Sequence, residues 1–392
     1  MLTMTESTPV NSSTERLPTR LIQLVPGFRP DADGLGDCAL ALGDALWKLC
    51  GVPTDFVVWR LARPVPELEI PGGEDFPHKI YRAEIQTPRS LEQLLDRTVG
   101  GEPQPVMLLH YTSYAFSSQG VAWWLPGLLR RFVQRGGKVV GFFHELYAVG
   151  RFPSKTWMSS GWQRHIFGEV LKLCTAGITS NSHYLEQMQQ QNARGLPLVQ
   201  SGVTSNVGEL KSPLQFAGRP KRLAIFGHYL GRKRLYEQHM PLLQKLVAHL
   251  SIVEVADIGG IEEEGRVLDW VGAQLNGKFK AHGLLSADAV GSVLTNSMAG
   301  AVNYGYARRF KSGVVGAYQA YGLPVILFHQ EGEPEPVESD IACPTPEQIL
   351  ATPREDLGAV LERAGSAGYA FYREHRSHDS VLGKILPWLR LE

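Results

Sequence analysis

Cysteine is scarce in this 392-residue chain: Cys38, Cys50, Cys174 and Cys343 are the only four, and no two form a CxxC pair. Their spacing argues against a zinc site or a disulfide framework and fits a reducing compartment. Long apolar runs are missing as well. No stretch of about 18 apolar residues occurs, so no segment reads as a membrane span. An excess of either charge is also missing, since Lys plus Arg and Asp plus Glu number 39 each. That balance gives no general pull toward nucleic acid, which is not expected as a partner. The first 19 residues lack the apolar core of a signal peptide and are rich in Ser and Thr. They are expected as a disordered tail, 1–19, of a cytoplasmic protein. No GxSxG elbow is present and Ser182-His183 resembles no nucleophile arrangement, which argues against serine-hydrolase chemistry of that kind.

Apolar residues make up 43% of the chain, enough for real cores, and the length suits two domains. Short apolar runs alternate with amphipathic stretches. Segments 21–25, 56–59, 106–110, 138–143 and 176–180 read as strands. Segments 34–50, 121–135, 157–174 and 182–191 read as helices. The pattern restarts after the basic, linker-like segment 218–222. Strands are then expected at 223–226, 252–256, 279–281, 299–302 and 325–328. A turn at 227–231 leads to a helix from 232 to 250, and further helices are expected at 262–275, 287–294 and 312–321. The acidic, Pro-rich 331–338 reads as a loop, and 354–391 as mostly helical. Strand and helix in alternation predict parallel sheets covered on both faces, hence two α/β, Rossmann-like halves with a boundary near 205–220. Ligands of such sheets bind at the carboxyl ends of the strands.

Five strand exits carry candidate chemistry. Gly34 and Gly36 precede a helix with Asp37 near its start. A close ligand approach and a plain strand–helix turn are both open readings, and the spacing is not the dinucleotide GxGxxG. His144 and Glu145 follow an apolar β-run, where His144 can donate a hydrogen bond or carry a proton and Glu145 can hold the imidazole or act as a base, with a structural pair closing the strand as the open alternative. His110 ends the preceding strand by the same logic, with a structural role equally open. In the second half, Arg232 and Lys233 follow a Gly-flanked turn and suit a diphosphate, though a solvated helix face would look the same. Lys311 and Ser312 stand at a helix start that favours an anion, with a plain exposed basic loop equally open. The aromatic-rich 121–126 and 157–162, with Arg130, Arg131 and Arg135 nearby, admit a membrane-facing patch, but an aromatic core with a solvated helix face carries more weight.

Together these residues resemble the GT-B glycosyltransferases, in particular the family-4 (glycosyltransferase group 1) type. Gly34-Leu35-Gly36-Asp37 and the helix after it resemble the family's Gly-rich first loop. Phe142-Phe143-His144-Glu145 resembles its strand-end His. Ile225-Phe226-Gly227 with Arg232 and Lys233 resembles its diphosphate grip. Ala320-Tyr321-Gly322-Leu323-Pro324-Val325 resembles the "AxGxPV" that closes the donor-site helix. The resemblance implies two Rossmann-like domains facing each other across a cleft. It divides the chain into an acceptor domain 20–210, a nucleotide-sugar donor domain 211–375 and a C-terminal helix 376–392 that can pack back on the first domain.

It further implies a metal-independent, retaining, hexosyltransferase-like enzyme with no bound cofactor. A nucleotide-diphosphate sugar would be the donor, held by Arg232, Lys233, Lys311 and Ser312. A glycan or lipid-linked acceptor would lie near Gly34, Gly36, Asp37 and His110, with His144 and Glu145 catalytic, in cell-surface polysaccharide or glycoconjugate synthesis. The protein would be cytoplasmic, with a peripheral contact at the inner face of the membrane left open. One departure stands out. The family's Glu-x7-Glu pair aligns with Arg309 and Ala317, and neither is acidic. That motivates the alternative of a non-catalytic partner that binds a nucleotide sugar or glycan. An epimerase or phosphorylase on the same fold is a third reading.

Overall fold

The computed structural model describes residues 16–28, 34–59, 77–82, 86–148, 150, 153–212, 215–260, 266–329 and 342–391. The chain begins with β1 (Leu21–Val25), α1 (Gly34–Cys50), β2 (Thr54–Val58), β3 (Lys79–Arg82), α2 (Pro88–Val99) and β4 (Val106–Tyr111). It continues through α3 (Trp124–Gln134), β5 (Lys138–Phe143), α4 (Lys155–Leu173), β6 (Ala176–Thr179), α5 (Ser182–Gln191) and β7 (Leu198–Gln200). The seven strands form one parallel sheet in the order β3-β2-β1-β4-β5-β6-β7. The strand order reverses direction between β1 and β4, which opens a crevice at the carboxyl ends of those two strands.

The second unit holds β8 (Arg222–Phe226), α6 (Tyr229–His249), β9 (Glu254–Ile258), α7 (Arg266–Gln274), β10 (Phe279–Gly283), α8 (Ala287–Thr295), β11 (Ala299–Asn303), α9 (Gly313–Ala320) and β12 (Val325–Phe328). Its five strands are also parallel, in the order β10-β9-β8-β11-β12, with the reversal between β8 and β11. Then follow α10 (Pro346–Ala351), α11 (Leu357–His375) and α12 (His378–Leu389). The expected pair of Rossmann-like sheets is thus present. Central strands are buried on both faces, as continuous apolar runs such as Val106–Tyr111 require.

Several expectations shift. Strand β9 lies two residues later than 252–256, so Asp257 and Ile258 fall inside it, while Ile252 packs in the core from the preceding turn. Helix α6 starts at Tyr229 rather than Arg232, because His228 caps it and Gly231 is accommodated within the first turn. The same helix is broken at His239 (φ −126°), two residues before Pro241, whose ring and missing N–H oppose a regular turn there. Strands β3 and β7 and helices α2 and α10 have no counterpart in the sequence reading. The first two are short edge or near-edge strands with partly exposed residues, where alternation is faint. The tail expected at 1–19 is described only from residue 16, and 331–338 and much of the loop before α7 lie outside the described residues.

After α11 the chain crosses back, and Val381, Leu382, Ile385 and Leu389 of α12 join the cluster formed by Leu21, Leu42, Leu46 and Val106. Each such burial contributes about 1.5–3 kcal/mol relative to exposure. Both crossings between the domains are pinned by one side chain. Arg376, wholly buried, donates from Nε to Val203 O (2.8 Å), from Nη1 to Gln319 Oε1 (3.2 Å) and from Nη2 to Ser312 O (2.6 Å). Glu209 ties the same hinge, accepting from Tyr372 Oη at 2.8 Å and pairing with Arg373.

Candidate active site

Two helices of the second domain begin at the same place. Strand β8 ends at Phe226, Gly227 turns with φ 130°, and α6 starts with the His228 imidazole accepting from the Leu230 N–H at 3.3 Å. A Cβ on Gly227 would stand 2.9 Å from Val314 Cγ2, in the first turn of α9. Glycine at 227 therefore lets the α6 loop touch the α9 N-terminus. Ser312 caps α9, its Oγ accepting from the Val315 N–H at 3.2 Å. The N–H groups of Gly313 and Val314 have no acceptor within their own helix. Two positive helix ends thus converge on one spot, an arrangement that attracts anions. The next strand exit closes over it. Gly259 (φ 145°) approaches so near that an added Cβ would lie 2.3 Å from Gly227 O.

Arg232 braces these loops from behind. It is buried, forms an ion pair with Asp257, and donates to Gly227 O (2.9 Å) and Gly260 O. Tyr236 donates to the other oxygen of Asp257. The expected direct grip by Arg232 is therefore corrected. Its guanidinium faces a carboxylate and two carbonyls and holds the glycine loops in shape. Lys233 points along α6 to Glu237 at 3.7 Å and is not on the cleft wall. Ser312 is also occupied, as a cap through Oγ and as an acceptor of Arg376 through its carbonyl.

The opposite wall belongs to the first domain. His144 leaves β5 and lines the cleft, and its Nε2 is 3.0 Å from His110 Nδ1. His110 Nε2 lies 2.7 Å from Gln23 Oε1, in β1. With that oxygen accepting, a neutral His110 carries its proton on Nε2 and must accept at Nδ1. His144 then donates from Nε2 and keeps a lone pair on Nδ1. Both rings are neutral. Burial holds His110 down to about 3. Burial, His110 and the Lys311 charge hold His144 well below its ordinary value.

Glu145 does not hold the imidazole of its neighbour. Its Oε1 is 2.6 Å from Lys311 Nζ, across the cleft on the segment before α9. Burial works against the Lys311 ammonium, but Glu145 outweighs it and the net shift is upward. Lys311 also lies 5.4 Å from the Tyr184 ring centroid.

These walls enclose a cleft of about 860 Å³. Of the residues singled out from sequence, Gly34, Asp37, His144, Glu145 and Lys311 line it. Gly36 lies beneath, where a Cβ would meet Gly27 O at 2.8 Å, so glycine is required there by the backbone of the β1 exit. Gly34 has nothing within 4 Å of an added Cβ. His110 sits behind His144. Asn206, Gly259, Gly260 and the apolar Leu284, Leu285 and Val290 also line the cleft and were not anticipated. The Gly-Gly pair directly after a strand was the available signal for two of them. Arg309, at the first missing glutamate position, stacks 3.7 Å over Tyr306 and 4.1 Å over Phe310, and Ala317 is buried inside α9.

No protein-family model and no curated protein matches the sequence. Solved structures do match. A mutant of S. aureus TarM in complex with fondaparinux, alpha-GlcNAc-glycerol and UDP aligns with TM-score 0.52 and 11% identity over 76% of this chain, and the chain spans only 59% of that one. The pneumococcal O-GlcNAc transferase GtfA in complex with UDP and GlcNAc aligns with TM-score 0.61 and 11% identity, covering 95% of this chain and 98% of its own. WaaG, a glycosyltransferase involved in lipopolysaccharide biosynthesis, aligns with TM-score 0.58 and 10% identity, covering 94% and 98%. At such identities the likeness is one of fold alone, the two-domain GT-B fold.

Proposed function

We propose that this protein is a glycosyltransferase that moves a sugar from a nucleotide-diphosphate sugar to a glycan or lipid-linked acceptor, in the synthesis of a cell-surface polysaccharide or glycoconjugate. The observation that carries this reading is the meeting of two helix N-termini beside Lys311, opposite a neutral histidine pair. The diphosphate would lie on the N–H groups of Gly313 and Val314 and the Gly227 loop, with Lys311 released from Glu145 to reach it. Fixed positive charge there stabilises the departing diphosphate as the glycosidic bond breaks. The apolar wall of Leu284, Leu285 and Val290 suits the nucleoside.

The acceptor would lie against Gly34, Asp37 and His144. A hydroxyl there can hydrogen-bond to the lone pair of His144, and Glu145, once parted from Lys311, can take its proton. The reading includes retention of anomeric configuration and no need for a metal ion. Asp31-Ala32-Asp33 follows β1, outside the described residues, so dependence on divalent cations is worth checking directly with a chelator.

The alternative, a non-catalytic partner that binds a nucleotide sugar or glycan, draws on one observation. Where the family's first glutamate would reach the sugar, Arg309 is engaged by Tyr306 and Phe310. Incubating the protein with a panel of nucleotide sugars separates the readings. Thermal stabilisation with release of free nucleotide diphosphate is the expected result. A ligand at 100 times its dissociation constant should add roughly 2.7 kcal/mol. Stabilisation without release across an acceptor panel supports the binding partner. No stabilisation by any donor overturns the transferase reading and leaves the glycan-binding partner.

A further inference from the structure

A diagonal of polar side chains crosses the first sheet. Gln23 of β1 is in register with Phe56 of β2 and with Leu108 of β4, and His110 of β4 with Phe142 of β5. Side chains two residues apart on a strand share a face. Thr54, Gln23, His110 and His144 therefore stand on one face of the sheet, each a strand further along. The rest of that face is apolar, with Leu21, Phe56, Leu108 and Phe142 buried in it. Thr54, Gln23 and His110 have no exposed surface.

This row is a poor device for stability. Gln23 Nε2 and Thr54 Oγ1 are buried without a hydrogen-bond partner. Both border the space over Gly43 of α1, where an added Cβ would lie 3.4 Å from Gln23 Nε2 and 3.3 Å from Thr54 Oγ1. Apolar side chains of similar shape along the row would be about as stable. The bonds that are made all lead the other way, from Gln23 through His110 to His144 on the cleft wall.

A neutral imidazole donates from one nitrogen and accepts at the other, so the row has two possible orders. If the amide donated to His110, each proton would shift across its ring and His144 would turn an N–H on Nδ1 toward the cleft. If the amide accepts, His144 Nδ1 is bare. The second order is the one present, because Oε1 of Gln23 is the atom 2.7 Å from His110 Nε2. It also suits the surroundings. The Lys311 charge is felt at His144, after burial and His110, and a bare nitrogen is favoured over an N–H beside a cation. The His144 ring is held in place by stacking on Phe142, with centroids 4.4 Å apart.

We propose that Gln23 is a positioning residue: its carbonyl oxygen, acting through His110, keeps the proton off the cleft-facing nitrogen of His144, so that the group taken there is a hydrogen-bond donor. Gln23 does this without lining the cleft. The consequence for turnover rests on the transferase reading, whereas the proton positions do not.

The test is long-range proton–nitrogen correlation NMR on the full chain with isotopically labelled histidine, which shows which nitrogen of each ring is protonated. His110→Asn and His144→Asn assign the two rings. In the parent both rings are expected to carry the proton on Nε2. Gln23→Met removes the acceptor and should move the His144 proton, wholly or in part, to Nδ1. With a nucleotide sugar and an acceptor that support transfer, the same variant should lower kcat at least about tenfold and leave the donor KM within about twofold. A merely structural role would lower the melting temperature and leave proton positions and kcat unchanged. A parent spectrum with the His144 proton on Nδ1 overturns the proposal, and that spectrum decides even if Gln23→Met does not fold. Unchanged proton positions in folded Gln23→Met overturn it too, as do moved protons with an unchanged kcat. Absence of turnover in the parent counts against the transferase reading instead and leaves the spectra to decide.

Discussion

Lys311 Nζ and Glu145 Oε1 lie 2.6 Å apart and belong to different domains. The Glu145 side chain is about half exposed. A pair of that kind contributes about 0–1 kcal/mol. A charge-assisted bond to phosphate contributes about 1.5–3 kcal/mol. On the proposed reading the magnitudes favour exchange: a diphosphate entering the cleft would take Lys311 and free Glu145.

Lys311→Met should therefore weaken nucleoside-diphosphate binding by roughly 10–100-fold by titration calorimetry. Glu145→Gln should strengthen it a few-fold by removing the competitor. Exchanging the two, Glu145→Lys with Lys311→Glu, restores the bridge but presents a carboxylate to the phosphates. Normal nucleotide affinity in that double variant would rule out Lys311 as a phosphate contact.

The histidine pair predicts an acid-sensitive fold. His110 is held at about 3 by burial, against an ordinary 6.5. Between those values the unfolded chain binds more protons than the folded one. Stability is then fully present above about pH 6.5 and falls as pH drops toward 3, by up to about 1.4 kcal/mol per pH unit for each buried imidazole. Urea unfolding at a series of pH values reads the slope. His110→Gln should flatten it, and an unchanged slope would place the acid sensitivity elsewhere.

Gly34 and Gly36 look equivalent in sequence and should behave oppositely. Gly34→Ala meets open space and should leave stability within about 0.5 kcal/mol. Gly36→Ala drives a methyl into Gly27 O at 2.8 Å and Phe28 Cα at 3.0 Å, and should cost about 1–3 kcal/mol. Thermal melting of the two variants is sufficient. Equal melting temperatures would mean that the β1 exit yields without strain.

Arg376 should be the most sensitive position of the hinge. Arg376→Met leaves Val203 O, Gln319 Oε1 and Ser312 O without their donor, and each buried group left unsatisfied costs about 1–3 kcal/mol. Burial already pushes the guanidinium down to about 10, so some of this loss is offset by removing a desolvated charge. A net loss of about 2–4 kcal/mol is expected in urea unfolding, with only partial rescue by Arg376→Lys, which lacks the planar fork. Full rescue by lysine would mean that charge alone holds the hinge.

The α/β alternation, the restart of the pattern after 218–222 and the strand exits at His144 and Gly227 follow from the sequence by itself. Apolar runs and glycine positions are local signals, and a parallel sheet leaves them few ways to be arranged. Which of the exits face one another was decided only by the tertiary structure. A sequence shows that Arg232 is basic but not that Asp257, from the next strand, lies beneath it and draws it out of the cleft. It shows Glu145 beside His144 but not that Lys311, more than 160 positions later, stands across the gap. It leaves Arg376 looking like any arginine at a helix end, although folding surrounds it with three carbonyl oxygens from distant segments. Burial and charge pairing depend on what the rest of the chain brings alongside, and no local spacing encodes that.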